Sequence, residues 1–285
     1  KPFLLKEIIY QGYATNIKSA KNYFESKDPA IYDILEKVVQ QYPILLNRAP
    51  TLHKLSILAF YPVLTDDIAI HLHPCVCQGY NADFDGDAMG VFIPLSKKAI
   101  EEAKTYMLPS QNLLKPADGS LIAIPNKEMV LGLYYLTTID VDKQDLDNKS
   151  KKAFGSMKEV MIAYELEKVE LREPILLKKE SKIIETSVGR VILNLKLPES
   201  MRFINYVIKA TNLKDLIKKA LGKMEQIEVA NLIDELKDLG FQASTYYAGA
   251  SFSVLDCIIY DKKEQIVKEA EEATAEIEKT ICRAW

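Results

Sequence analysis

The apolar and polar positions of this chain follow two different periods, which predicts a mixture of helices and strands. Apolar residues recur at helical spacing in segment 29–41, and a buried strand is predicted immediately after it, at 42–46. Asp28 followed by Pro29 provides an N-cap and a first-turn proline for this helix. Before it, we expect a short extended start. Helical periodicity or capping patterns predict five more helices, at 96–107, 127–136, 156–165, 213–221 and 227–239.

Four short runs of β-branched and aliphatic residues predict the strands of a small antiparallel sheet, at 169–171, 175–177, 183–185 and 191–195. The two helices that follow are expected to end at Gly222 and Gly240. A polar segment, 140–152, is predicted to be an exposed connection. The last segment, 261–282, reads as a charged helix with a narrow apolar seam, which is typical of one arm of a helical hairpin and leaves the seam exposed without a partner.

One heptapeptide, 81–87, carries carboxylates at alternate positions, Asp83, Asp85 and Asp87. Such closely spaced charges repel one another unless a cation lies among them. On a regular strand they would stand about 6.6 Å apart, and a helix would turn Asp85 away from the other two. Gly86 permits the bend that gathers them. The spacing therefore predicts a tight loop that binds a hard divalent cation such as Mg²⁺, Mn²⁺ or Ca²⁺.

Apolar residues flank this loop at 75–77 and 89–94, which predicts strands that enter and leave a core. An EF-hand loop is disfavoured, because Ala88 and Pro94 occupy the positions where that motif needs Gly and Glu. The remaining alternative is a solvated acidic turn without an ion. The apolar flanks argue against it, since exposed acidic turns seldom lie between two apolar runs.

The composition describes a chain of 285 residues with 48% apolar and 27% charged residues, enough for two or three domains. A net charge of −3 argues against a dedicated nucleic-acid-binding protein. Segment 37–65, however, contains no acid but includes Lys37, Arg48, His53 and Lys54. This segment either forms a positive surface that faces triphosphate or nucleic acid, or belongs to a core that lacks acids.

The four cysteines do not form the framework of a secreted disulfide protein, and the longest apolar runs are too short to span a membrane. A reducing cytoplasm is consistent with both observations. His71, His73, Cys75 and Cys77 alternate, but four ligands on one strand lie too far apart for one zinc ion. Zinc is therefore not expected, and these residues are interpreted as half-buried strand positions. His53 is interpreted as a hydrogen-bonded structural histidine or a contact near nucleic acid.

The heptapeptide, together with the block at 46–54, resembles the largest (beta-prime) subunit of bacterial DNA-directed RNA polymerase. Similarity continues in the same order over essentially the whole chain, at 1–3, 12–15, 113–119, 129–137, 186–190 and 249–251. Because the chain opens on Lys1 and the resemblance begins within a domain, we expect an internal fragment of a longer subunit. Ala88, Phe92 and the last three residues depart from the family pattern.

The resemblance implies an α+β fold in three parts. Residues 1–114 would form an active-centre double-psi β-barrel, residues 115–240 a mixed α/β pore domain that lines the secondary channel, and residues 241–285 the truncated start of the funnel or rim helices. The barrel would pack against a matching barrel of the second-largest subunit.

The resemblance also implies a function, Mg²⁺-dependent and template-directed addition of ribonucleotides to the RNA 3′ end with release of pyrophosphate. Asp83, Asp85 and Asp87 would hold one Mg²⁺, and a second would arrive with the nucleotide. Arg48 and Asn81 would contact the ribose and help to distinguish RNA from DNA precursors. The fragment alone is expected to be inactive.

By the same resemblance, the partners would be the beta, alpha and omega subunits, a sigma factor, the DNA template, the nascent RNA and ribonucleoside triphosphates, in the nucleoid-associated cytoplasm. Two alternatives remain open. One is a non-catalytic domain that an ion merely stabilises. The other is a two-barrel, RNA-templated nucleotidyltransferase, which the block at 47–54 and the helices after Leu113 disfavour.

Overall fold

Two units make up the chain, Lys1–Ala248 and Gly249–Trp285. The computed structural model describes residues 1–26, 28–140, 151–179, 182–249 and 251–284, and for 282–284 only the backbone. Most of the predicted polar connection at 140–152 lies outside these described residues.

Three helices open the first unit, α1 (Pro2–Tyr10), α2 (Ile17–Glu25) and α3 (Ala30–Val39). The expected extended start was wrong, because Leu4 and Ile8 lie one turn apart and bury the same face of α1. The third helix confirms the predicted amphipathic segment, and Asp28 Oδ1 accepts a hydrogen bond from the N–H of Ala30 at 2.9 Å. These helices pack around their own small apolar cluster.

A three-stranded antiparallel sheet follows, with strands β1 (Ile44–Asn47), β2 (Ile57–Phe60) and β3 (Gly90–Phe92) in the order β2-β1-β3. Asn47, at the end of the central strand, pairs with Ile57 on one side and Gly90 on the other. The structure confirms the predicted strands before Arg48 and after the acidic loop. However, β3 is exposed rather than buried, so the prediction that it enters a core was wrong.

The segment that enters the acidic loop is helical, and the strand predicted there was wrong. A 3₁₀ turn (Pro74–Val76) leads directly into the short helix α4 (Cys77–Tyr80). His73 caps the turn, since its Nδ1 accepts a hydrogen bond from the N–H of Cys75 at 3.1 Å. Proline in the first turn suits a helix, because its missing N–H would have no partner there.

Two predicted helices are confirmed as α5 (Lys97–Tyr106) and α6 (Glu128–Thr137). Ser96 caps the first, with its Oγ accepting from the N–H of Ala99 at 3.1 Å. The next predicted helix is also present as α7 (Met157–Glu165), and Ser156 caps it.

A second sheet contains β4 (Ala153–Phe154), β5 (Pro174–Lys179) and β6 (Lys182–Ser187) in the order β4-β5-β6. Strands β5 and β6 confirm two of the four predicted runs and pair antiparallel, whereas β4 pairs parallel to β5. The run 169–171 is not a strand, and 191–195 belongs to the helix α8 (Val188–Lys196). Ser187 starts this helix by accepting a hydrogen bond from the N–H of Arg190.

Helices α9 (Ala210–Leu221) and α10 (Gln226–Gln242), then a π-helical turn (Ala243–Ala248), complete the first unit. Gly222 ends α9 as predicted, but Gly240 lies inside α10 and does not end it. A Cβ at Gly240 would collide with the carbonyl oxygen of Met129, so this glycine permits close packing of α10 on α6. The largest apolar cluster of the chain forms around α6, α8, α9 and α10.

The second unit contains a 3₁₀ turn (Val254–Asp256) and the long helix α11 (Lys263–Ala284). Its apolar seam is exposed, as the sequence predicted, at Ile266, Ile277 and Ile281. Within the described residues, no helix combines the length and apolar character that crossing a membrane requires.

Candidate metal centre

The acidic loop connects α4 to β3, and two residues with positive φ shape it. Asn81 ends α4 in the left-handed conformation, at φ 50° and ψ 43°. Gly86 has φ 127°, which L side chains rarely adopt, although a Cβ there would meet no atom within 4 Å. Backbone conformation rather than space therefore requires this glycine, as the sequence predicted.

The bend gathers the three carboxylates. Asp83, Asp85 and Asp87 each offer one oxygen, and these oxygens lie within 4.8 Å of one another. In the part of the chain that the structure describes, no other group of three His, Cys, Asp or Glu residues converges in this way. Hard oxygen ligands on an exposed loop fit Mg²⁺, Mn²⁺ or Ca²⁺, which also accept water or phosphate oxygens as ligands.

Arg48 holds one side of this cluster. Its Nε donates to Asp87 Oδ2 at 2.7 Å, and its Nη2 donates to Asp87 Oδ1 at 3.3 Å, which makes a two-point contact. The backbone N–H of Asp83 also donates to Asp87 Oδ2, at 3.2 Å. Because Arg48 directly follows β1 and β3 pairs with that strand, the sheet sets the position of the guanidinium relative to the loop.

The pKa values of Asp83 and Asp87 are shifted in opposite directions. A hydrogen bond with Asp85, burial and the charges of both neighbours raise the pKa of Asp83. The Arg48 guanidinium lowers the pKa of Asp87, and that ion pair in turn raises the pKa of Arg48. An added positive charge would therefore stabilise the ionised form of Asp83 in particular, because Asp87 already has Arg48 as its partner.

Tyr80 anchors the start of the loop to the sheet. Its hydroxyl donates to the Leu46 carbonyl oxygen at 2.9 Å and accepts from the N–H of Leu58 at 3.1 Å. The side chain is buried, and burial raises its pKa. Sequence reasoning missed this residue, because nothing in the local pattern distinguishes it from the other tyrosines among the 15 in the chain.

His73 links the segment before the loop to a distant helix. Its Nε2 lies 2.6 Å from Asp234 Oδ1 on α10, while its Nδ1 accepts from the N–H of Cys75. Both ring nitrogens are thus engaged in hydrogen bonds. Cys75 is buried beside them, and burial raises the pKa of its thiol to about 12. The structural interpretation of His53 is confirmed, since its Nδ1 accepts from the N–H of Leu55 at 3.1 Å.

A cleft opens beside the first half of the acidic loop, and we call it the loop-side cleft. It is lined by residues of α4, by 81–84 of the loop, by 126–129 at the start of α6, and by Phe241. Asn81 and Asp83 both face it. Of the two residues predicted to contact substrate, Asn81 therefore lies on the cleft and Arg48 lies on the carboxylate cluster. Lys127, which sequence reasoning missed, contributes a positive charge to the cleft lining.

Comparison with known proteins covers nearly all of this chain. The family model described as RNA polymerase Rpb1, domain 2, matches residues 8–108, and the model of RNA polymerase Rpb1, domain 3, matches residues 112–257. Both the acidic loop and Arg48 fall within the first match, and Lys127 falls within the second.

Curated bacterial proteins are also similar. The chain is 43% identical over 281 residues to the DNA-directed RNA polymerase subunit beta' of Salinibacter ruber, which covers 98% of this chain and 19% of that protein. It is 43% identical over 299 residues to the corresponding subunit of Caldanaerobacter subterraneus, covering 98% of this chain and 25% of the relative. The chain thus spans about a fifth to a quarter of the length of these relatives.

Proposed function

The chain belongs to the RNA polymerase Rpb1 family, together with bacterial beta' subunits, and from this premise we propose that it holds the catalytic Mg²⁺ of a DNA-directed RNA polymerase. The observation that carries the proposal is the convergence of Asp83, Asp85 and Asp87 on one bent loop. Family membership supports it independently, because the match to domain 2 includes this loop.

Each carboxylate has a role in this proposal. Asp85 and Asp83 present oxygens toward the ion, and Asp87 is oriented for the same purpose by its two-point contact with Arg48. When bound, Mg²⁺ supplies Lewis-acid stabilisation of the attacking RNA 3′ oxygen and the α-phosphate, with a second ion arriving on the triphosphate. The protein contributes position and charge rather than covalent chemistry.

Arg48 and Asn81 are proposed to recognise the ribose of the incoming nucleotide. Asp87 contacts Nε and Nη2 of Arg48, so Nη1 is the nitrogen that we assign to a sugar hydroxyl. Asn81 lines the loop-side cleft, where its amide offers both a donor and an acceptor. Together, these groups can distinguish a ribose from a deoxyribose by binding its 2′-OH.

The wider architecture is also a proposal. The sheet of β1, β2 and β3 would be part of a double-psi barrel over residues 1–114, followed by a pore domain over 115–240 and the first rim helix over 241–285. Exposed apolar side chains in β3 and directly after it support a partner surface there, since Val91, Phe92 and Ile93 are each about half exposed. We propose the beta, alpha and omega subunits, a sigma factor, DNA, RNA and ribonucleotides as the partners of the complete cytoplasmic enzyme.

The test is reconstitution of the full-length subunit with its partner subunits, with Asp85→Ala compared with the parent in Mg²⁺-dependent nucleotide addition. We expect a loss of at least about 1000-fold, because the ion stabilises charge that develops in the transition state. Asp66→Ala is the matched control, since it removes an exposed carboxylate outside the cluster. If Asp85→Ala retained parental activity, the proposal would be wrong and a purely structural ion site would be favoured.

A further inference from the structure

The loop-side cleft contains one feature that the proposed function does not use, Lys127. This residue immediately precedes α6 and lines the cleft together with Asn81 and Asp83. It is the one cation among the residues that line the cleft, where Asp83 and Glu128 are the acids. Among the described residues, no ion pair engages its ammonium group. A charge of this kind is available to a ligand.

Two further observations concern Lys127: its backbone conformation and the Cys77 thiol. Its φ of 48° and ψ of −123° are unusual for a residue with a side chain, and such conformations persist where the surrounding structure imposes them. Burial raises the pKa of the Cys77 thiol, and the positive charge of Lys127 acts in the opposite direction. Cys77, at the start of α4, lines the same cleft as the exposed Lys127.

The lining of the cleft limits the chemistry of its ligand. It includes Asp83 of the carboxylate cluster, and an ion bound to that carboxylate would accept further oxygen ligands. It also includes Lys127, whose compact ammonium has three donors. A ligand that binds both carries several anionic oxygens. Within the proposed function, the diphosphate end of a ribonucleoside triphosphate has this form.

We propose that Lys127 binds the pyrophosphate group of the reaction, first as the terminal part of the incoming triphosphate and then as the released product. The proposal rests on the proposed function. In the addition step, a bond forms between the RNA 3′ oxygen and Pα, the 3′-hydroxyl proton is lost to solvent, and the bond between Pα and the bridging oxygen breaks. Pyrophosphate leaves with that electron pair, and Lys127 binds its oxygens.

Reassembled polymerase carrying Lys127→Gln tests this directly, with magnesium pyrophosphate and a ribonucleoside triphosphate as the two probes. We expect the KM for pyrophosphate in the reverse reaction and the KM for triphosphate in the forward reaction both to rise about tenfold, with kcat changed less than twofold. Lys127→Arg should restore both values to within about twofold of the parent, because it keeps the charge. Lys209→Gln is the matched control, since Lys209 likewise precedes a helix but does not line the cleft.

Binding of pyrophosphate can also be measured without catalytic turnover, through the rate at which Cys77 is alkylated. Magnesium pyrophosphate should slow alkylation of Cys77 in the parent complex, and Lys127→Gln should need about tenfold more pyrophosphate for equal protection. Cys257, which is exposed in the second unit, should react equally with and without pyrophosphate. Lys127→Gly removes the ammonium and relieves the backbone strain, so it separates a charge effect from a folding defect and should behave as Lys127→Gln does.

Unchanged KM values for both probes, a rise for one of them only, or unaltered Cys77 protection in Lys127→Gln would each overturn the proposal. These results are distinguishable from failure of the proposed function. If Asp85→Ala is inactive while Lys127→Gln behaves as the parent, the catalytic assignment stands and only the role of Lys127 falls. If Asp85→Ala is active, the catalytic assignment itself falls.

Discussion

The hydroxyl of Tyr80 is expected to stabilise both the sheet and the start of the acidic loop, and Tyr80→Phe removes that group alone. The ring stays in place against Phe60, with the ring centroids 6.5 Å apart. What is lost is a donor to the Leu46 carbonyl and an acceptor for the Leu58 N–H. Because Tyr80 is only 2% exposed, water cannot readily replace either partner.

The expected loss in free energy of unfolding follows from these two hydrogen bonds. A buried donor that loses its partner costs about 1–3 kcal/mol, whereas the Leu46 carbonyl loses one bond with a net value of about 1 kcal/mol. The aromatic area removed from water is unchanged, so no large cavity cost is added. We therefore expect the free energy of unfolding of the first unit to fall by about 2 kcal/mol, or about 30-fold in the unfolding equilibrium constant.

Urea denaturation of the chain, followed by far-ultraviolet circular dichroism, measures this change. With a denaturant slope of about 3 kcal/mol per M, the midpoint should move down by about 0.7 M. Tyr10→Phe is the matched control, because Tyr10 is 84% exposed and its midpoint should stay within about 0.2 M of the parent. A Tyr80→Phe midpoint as close to the parent as that of the control would refute the anchoring role.

Three further predictions concern packing and pH. Gly132→Ala should lower the free energy of unfolding by about 3 kcal/mol or more, because the added Cβ would collide with the Gly240 carbonyl oxygen and lie 2.6 Å from the Ser244 nitrogen. Gly222→Ala is the control, since the nearest atom to its added Cβ is 3.6 Å away. Equal melting temperatures of the two variants would contradict the packing argument. Mn²⁺ affinity should fall as pH is lowered from neutral through the raised pKa of Asp83, above its ordinary 3.8, since the ion must displace that proton. The Arg48–Asp87 contact also makes stability depend on pH: because the folded pKa of Asp87 is lowered, its contribution is present above the unfolded value of 3.8 and is lost as pH falls through the folded value. Titrations of Mn²⁺ at several pH values check the affinity, and a pH-independent affinity between about 4 and 7 would contradict the involvement of Asp83.

Local signals in the sequence predicted a good part of the fold. Ser96 and Ser156 mark helix starts that the structure confirms, because a cap acts through its own neighbours. Asp28 also accepts a hydrogen bond at the start of the third helix, although Pro29 occupies the N-cap position there. The acidic loop was also predictable, since the spacing of three aspartates and one glycine permits few backbone conformations.

Distant contacts explain what sequence reasoning missed. Segment 191–195 has strand-like composition, yet it folds as a helix because Ser187 caps it and α6 packs closely against Gly189. In the sequence Gly240 is typical of a helix end, but in the structure it lies inside α10 and permits close packing of that helix on α6. His73 and Asp234 are 161 residues apart, so no local pattern could pair them. The same holds for Lys127, which lines the same cleft as the acidic loop only because of the tertiary structure.

The central claim is that one bent turn brings Asp83, Asp85 and Asp87 to a single divalent ion. Electron paramagnetic resonance of Mn²⁺ bound to the reassembled polymerase, without nucleotide, measures this most directly. We predict one tightly bound ion in the parent and in Asp66→Asn, and its loss in Asp85→Asn. If Asp85→Asn bound the same ion with unchanged affinity and spectrum, the carboxylates of this loop would not be its ligands.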